Sequence, residues 1–299
     1  MDNIVGHGNL VCDRPEVWPD TAPGIKNPPT RRHCPLMARR DSLGAGAAGD
    51  IMQLSLSTWQ EVEHYLESRS GIIMPVGSTE QHGPGGLIGT DAICPEIVAR
   101  RLGEETGVLV APTLGIGVAQ HHLGFSGSMC LRPSTLMSVV RDCVVSLARH
   151  GFDRFFFLNG HGGNIATIHA AIAEIHSEVS MRTRPVERSL RCTLSNWWDS
   201  AGVRSISKEL YGADEGEHAT CSEVSVTWFA FPDHIKKVNL SGRAPAWSGI
   251  HDSDDYRRRY PDGRIGSLPS LSTPDAGRRL VDASVKDLAG KLNRFLDEP

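Results

Sequence analysis

No run of about 20 apolar residues occurs in the chain, so no segment reads as a transmembrane helix. The amino terminus, MDNIVGHGNL, has neither a basic start nor an apolar core and does not read as a signal peptide. CxxC pairs are missing from the seven cysteines, Cys12, Cys34, Cys94, Cys130, Cys143, Cys192 and Cys221. Their odd count and wide scatter argue against a disulfide framework and for a reducing, cytoplasmic setting. Long basic runs are also lacking. Arg31-Arg32, Arg39-Arg40 and Arg257 to Arg259 are short, the last lies close to four aspartates, and the formal net charge is -4. Neither nucleic acid nor a membrane is an expected partner. Nucleotide and serine-hydrolase signatures are missing from the chemical stretches as well: GHGGN after its strand is not GxGxxG, no GK[ST] follows a phosphate loop, and no GxSxG surrounds Ser78.

What is present suits a soluble globular protein. The 299 residues, 39% hydrophobic and 22% charged, can bury one large core or two smaller ones. Residues 1–50 stand apart, with prolines at 15, 19, 23, 28, 29 and 35 and no persistent apolar period. They read as an irregular N-terminal arm, either disordered or laid over the body or a neighbouring subunit. Residues 51–299 read as a single folded body.

Apolar runs and caps give the expected elements. A helix capped by Ser57 covers Thr58 to about Glu67, and GIIMPV at 71–76 is a buried strand. A helix follows from about Ala92 to Glu105, then a strand at 108–112. Ser134 caps a helix from Thr135 to His150, Arg154 to Leu158 is a strand, and a helix covers about Ile165 to Glu178. Leu190 to Leu194 reads as another strand, and 199–217 as irregular. A helix starting near His218 runs to about Phe229, 232–275 is a long excursion, and Asp275 caps the last helix. Strands alternating with helices of 10 to 16 residues predict a mostly parallel sheet covered by helices. GIIMPV and FFFL are continuous apolar runs, as strands buried on both faces should be.

Chemistry gathers at two strand exits, where an open α/β sheet places its ligands. The first is Gly77-Ser78-Thr79-Glu80-Gln81-His82-Gly83-Pro84 with Thr90-Asp91, and the second is Asn159-Gly160-His161-Gly162-Gly163-Asn164. Glu80, His82, Asp91 and His161 supply two carboxylates and two imidazoles, an oxygen and nitrogen set suited to zinc, manganese or ferrous iron. On an extended segment Glu80 and His82 face one cavity while Gln81 turns away. Asp91 has two oxygens and could bridge two ions about 3.5 Å apart. Gly162 and Gly163 read as tight access to a ligand or as positive-φ positions. The loop from Leu114 to Met129 holds Gln120, His121 and His122, of which His122 is a candidate pocket donor.

GSTEQHGP at 77–84 with Thr90-Asp91, and NGHGGN at 159–164, resemble the creatininase family, and the resemblance extends over about 54 to 296. His218-Ala219 with Glu223, and the glycine-bearing stretch Gly263 to Gly277, agree more weakly. The resemblance implies a single three-layer α/β/α domain, two divalent ions, hydrolysis of C–N bonds in small substrates, and assembly as a homohexamer. It implies that Glu80, Asp91 and His161 bind one ion, and that His82, Asp91 and a further carboxylate bind the other. In creatininase itself that carboxylate lies two residues after the histidine matching His161. Here the position is Gly163, and the family match favours Glu223. It also implies that His218 assists proton transfer to the leaving nitrogen, and that Trp197 and Trp198 line the substrate pocket.

The residues alone leave the last ligand open among Glu215, Glu217 and Glu223. On a helix beginning near His218, Glu223 would sit about 140° around and about 7.5 Å along, which favours no shared face. Two departures bear on the substrate. After Gly83-Pro84 the chain reads Gly85-Gly86-Leu87-Ile88, where the family has a histidine and Leu-Pro-Leu. Creatinine is therefore one candidate beside formamides, lactams and polyol-derived rings. Opening of a carbocyclic ketone at the same centre is the alternative reaction, and a non-catalytic, metal-containing binding or structural protein is the alternative class.

Overall fold

The computed structural model describes residues 52–181, 189–240 and 242–298, and the expected arm at 1–50 lies outside them. Four strands form one parallel sheet in the order β2-β1-β3-β4, with β1 at Gly71–Val76, β2 at Leu109–Val110, β3 at Arg154–Asn159 and β4 at Arg191–Asn196. The central pair, β1 and β3, is in register from Gly71 with Arg154 to Val76 with Asn159. Both strands therefore end at the same level, and the two glycine-rich exits emerge side by side.

Both faces of this pair are covered. Ile73, Phe156 and Leu158 point to one face, under α2 (Thr90–Thr106), α6 (Cys221–Ala230) and α8 (Pro274–Leu296), with α5 (Ala201–Leu210) beside α8. Ile72, Met74, Val76, Phe155 and Phe157 point to the other, under α1 (Trp59–Leu66), α3 (Pro133–Ala148) and α4 (Ile165–Ser180). The result is a three-layer α/β/α sandwich. The period of 2 along each strand sends alternate side chains into the two cores, so a run such as FFFL serves both at once.

Several boundaries differ from the sequence reading. Thr58 rather than Ser57 caps α1, closing a capping box with Glu61, while the Ser57 hydroxyl donates back to the Gln53 carbonyl. Helix α3 starts at Pro133 after Arg132, so Ser134 is inside it, and Thr273 rather than Asp275 caps α8. Residues 199–217 are not irregular. Ser200 accepts the Val203 N–H and opens α5, which buries Val203 against α8. Helix α6 begins at Cys221, because Ala219 has φ 52 and breaks the helical path after His218. The long excursion holds α7 (Ser253–Arg259), capped by Asp252.

Candidate metal centre

Three chain segments and two helix ends converge beyond the carboxyl edge of β1 and β3. Leaving β1, the chain does not stay extended: the Glu80 N–H donates to the Ile88 carbonyl at 2.8 Å, and Gly83 turns it with φ 66. Glu80 and His82 are buried here, and Ser78 Oγ donates to Glu80 Oε2 at 2.7 Å. Asp91 is not in a loop but in the first turn of α2, where the positive end of the helix dipole favours a carboxylate. Two glycines let that turn come so close. A Cβ on Gly77 would lie 2.1 Å from the Asp91 carbonyl oxygen, and one on Gly160 would lie 2.0 Å from the same atom. Glycine is thus required at both strand exits for α2 to rest on them.

The carboxylate of Asp91 is shared. Its Oδ1 lies 2.9 Å from His82 Nε2, and its Oδ2 lies 2.8 Å from His161 Nδ1. Each imidazole is held by its other nitrogen, through His82 Nδ1 to the Glu80 carbonyl and His161 Nε2 to the Val118 carbonyl, both at 3.0 Å. Those bonds fix the tautomers, so His82 Nε2 and His161 Nδ1 are the nitrogens that turn inward, as second partners of metal-ligating histidines do. Around His161 stands Glu80, whose Oε1 is 3.3 Å from Nδ1. Around His82 stands Glu223, whose Oε1 is 3.5 Å from Nε2. Glu80-Asp91-His161 and His82-Asp91-Glu223 are each compact enough to hold one ion, and so is Glu80-His82-His218.

Electrostatics test the fit. Burial pushes the Glu80 carboxyl up, and it pushes Glu223 up to about 7 against the pull of His82. Asp91 is held well below the usual carboxylate range, because His82 and His161 outweigh its burial. Burial opposes charge on His82 and His161 too, yet Asp91, Glu223 and Glu80 push them up to about 10 and about 9. Three carboxylates gathered in one largely buried site demand positive charge, and imidazolium protons or divalent ions can supply it. Glu80 Oε1 is the sharpest sign. It is buried with no hydrogen-bond partner, although the ring nitrogens of His122, His161 and His218 lie 3.0, 3.3 and 3.9 Å away. An acceptor ringed by three imidazole nitrogens, none of them aligned for a hydrogen bond, suits a cation.

Glu223 reaches the centre differently from the sequence geometry. It is the third residue of α6, in a capping box with Thr220, and its Oε1 accepts the Thr220 N–H at 2.7 Å. His218 lies before the helix, bridged to Ile265, so the helical offset between the two does not apply. Glu215, the other half-buried candidate, instead accepts the Ser222 N–H through Oε2 at 3.2 Å. Gly163 is closed to any side chain, since a Cβ there would lie 2.4 Å from both His161 Nε2 and the Val118 carbonyl.

A cavity of about 650 Å³ opens onto Asp91, His161 and Glu223, and Gly162, Trp197, Trp198 and His218 line it. Gly163 and His122, expected in the pocket, are not part of this lining. His122 is buried behind Glu80 instead. Trp197 belongs to the core as well, with its carbonyl accepting from Ser284 Oγ at 2.8 Å.

Gln81 corrects the sequence reading. It does not turn away but lies buried, with Nε2 within 3.0 Å of His122 Nδ1, His218 Nε2, Tyr256 Oη and the Gly263 carbonyl. Its Oε1 accepts the Gly83 N–H at 2.9 Å, which orients the amide. Tyr256, on α7, was hidden in what read as an excursion.

Fold and site together define a metal-dependent hydrolase with room for two divalent ions. Residues 55–292 match the creatininase (creatinine amidohydrolase) family model. The chain belongs to the creatininase family. It is 28% identical over 249 residues to the creatinine amidohydrolase of Pseudomonas putida, covering 79% of this chain and 94% of that one. It is 26% identical over 265 residues to the 3-dehydro-scyllo-inosose hydrolase of Thermotoga maritima, covering 81% and 82%. A solved structure described as "Creatininase Mn" superposes with a TM-score of 0.73 at 25% identity, covering 83% of this chain and 99% of that one.

Proposed function

We propose that the protein hydrolyses a C–N bond of a small amide, lactam or formamide, with Glu80, Asp91 and His161 holding one divalent ion and His82, Asp91 and Glu223 the other. The observation that carries this reading is the split of Asp91, one oxygen toward each imidazole. Zinc and manganese both suit the oxygen and nitrogen donors, iron is the third fit, and the manganese-titled neighbour supports the second. When bound, such a pair polarises a carbonyl and makes water a nucleophile near neutral pH.

The chain's own residues supply the rest. His218 Nε2 is tied to the Gln81 carbonyl at 2.8 Å, which turns Nδ1 toward the Glu80 side of the centre. Burial, with the neighbouring His122 and His82, holds His218 well below the usual imidazole range. It is therefore neutral at pH 7, able to take a proton at Nδ1 and give it to the departing nitrogen. Gln81 thus keeps that ring in place through its main-chain carbonyl. Trp197 and Trp198, with ring planes at 85°, offer an apolar wall for a flat or cyclic substrate. A purely structural metal site would have a closed shell, and the cavity opening onto three candidate ligands opposes that role.

Two further features belong to this proposal. The protein assembles as a homohexamer, which light scattering would contradict by returning a monomer. It resides in the cytoplasm, in keeping with the free thiols of Cys94, Cys130, Cys143, Cys192 and Cys221. No helix among the described residues is long and apolar enough to cross a membrane.

Opening of a carbocyclic ketone is the second reading, favoured by the name of the Thermotoga relative. Product analysis by NMR separates the two. Protein loaded with zinc or manganese is incubated with creatinine, simple lactams, formamides and cyclic ketones. Cleavage of the C–N bond in one of the first three classes is expected, seen as a new carboxylate or formate together with a freed nitrogen, which stays on the same product when the substrate is a ring. An acid formed only from a ketone, with no C–N bond cut in any of the other substrates, would overturn the C–N assignment.

A further inference from the structure

The cavity that opens onto the metal centre, about 650 Å³, is larger than a single small ring needs, and α5 supplies part of its wall. Val203, Arg204, Ser207 and Lys208 all line it. On a helix these positions share one face, while Gly202 is fastened to α8 by its N–H to Asp287 Oδ2 at 2.8 Å. Two cationic side chains one turn apart are therefore held on the wall of the site, on a helix anchored from behind. Arg204 is partly engaged, donating to the Asp199 carbonyl. Lys208 is not: among the described residues it makes no ion pair. The acid next to it, Glu209, is paired instead with Arg279 of α8 at 3.0 Å. Of the carboxylates on the cavity wall, Glu215 accepts the Ser222 N–H, Asp91 and Glu223 face His82, and Glu217 is exposed with its N–H bonded to the Ile265 carbonyl.

We infer that the α5 wall is an anion subsite, and that the natural substrate is an amide carrying a carboxylate or phosphate remote from the bond that is cut. The inference rests on the metal-centre reading above and adds a substrate class to it. An ammonium and a hydroxyl one residue apart, with a guanidinium a turn earlier, suit the oxygens of such a group. The scissile carbonyl then lies toward Asp91 and His161 while the anion lies toward Lys208. The tryptophans hold the apolar part between them.

The test is binding, so it does not depend on turnover. Unbranched dicarboxylates of three to six carbons are titrated calorimetrically into the metal-loaded protein, beside monocarboxylates of the same lengths. A second arm uses phosphonocarboxylates. At least one dianion should bind about tenfold more tightly than its monoanionic counterpart, the gain of one charge-assisted hydrogen bond. The arm with the larger advantage identifies the anion. Lys208→Met should erase the advantage, bringing each dianion to the affinity of its monocarboxylate, and Lys208→Arg should keep most of it. Lys208 is exposed, so neither change threatens the fold. Equal affinities in the wild type, or an advantage that persists in Lys208→Met, would overturn the subsite. Metal content measured on the same samples judges the centre separately. Two ions bound without discrimination sinks the subsite alone, and protein that binds no ion sinks the centre and the subsite with it.

Discussion

At Asp91 one carboxylate faces two imidazoles, and the pH behaviour of the protein follows from that arrangement. His82 and His161 are pushed up to about 10 and about 9 in the folded state, whereas an unfolded imidazole titrates near about 6.5. Groups with a raised folded pKa stabilise fully below the unfolded value and lose that contribution as pH rises through the folded one. Glu223, pushed up to about 7, acts in the same sense at lower pH. Chelator-treated protein should therefore lose thermal stability between about pH 7 and pH 10, and metal-loaded protein should not. At pH 8 loading should release about two protons, because ligating imidazoles must be neutral. Calorimetry in buffers of different ionisation enthalpy measures this, and loading without proton release would contradict it. Legibility at this scale was uneven. The candidates Glu80, His82 and His161 were legible because they sit at strand exits, and Asp91 because it follows the first exit closely, at the start of α2. Gln81 could not, since a period of 2 was assumed where the Glu80 to Ile88 hydrogen bond and the Gly83 turn bring it inward as well.

Among the elements, the two ends of the sandwich differ in how well the sequence reveals them. Strands β1 and β3 announced themselves as apolar runs, and α2, α3, α4 and α8 by their stripes. Helix α5 was missed because only Val203, Ile206 and Leu210 mark its apolar side amid serines and charged residues, and that helix carries the cationic wall. Helix α6 was started too early. Nothing in an alanine between His218 and Thr220 signals φ 52, a conformation that the surrounding fold imposes. The consequence concerns Glu223, whose place at the third position of α6 makes it both a cap and a candidate ligand. Loss of the cap in Glu223→Gln should be small, since glutamine can serve in a capping box, while loss of charge at the centre should be large. Adding Gly163→Glu should not restore the second ion, because the Cβ would lie 2.4 Å from the Val118 carbonyl and His161 Nε2. Elemental analysis of the single and double variants decides it, and a double variant with recovered metal would contradict the geometry.

For the molecule as a whole, the parallel sheet and its two helical layers were legible because a sheet buried on both faces needs continuous apolar strands. The register of β1 with β3 was not, and that register is what sets the two ligand loops beside each other. Around them, Gly77 and Gly160 admit α2 and place Asp91 between His82 and His161. The account therefore stands on a centre of two ions joined through one residue. Metal stoichiometry tests it most directly. Wild-type protein saturated with zinc or manganese and freed of excess should hold two ions per chain, and Asp91→Asn, folded by circular dichroism, should lose both. A wild type with a single ion, or an Asp91→Asn protein that keeps two, would contradict the account.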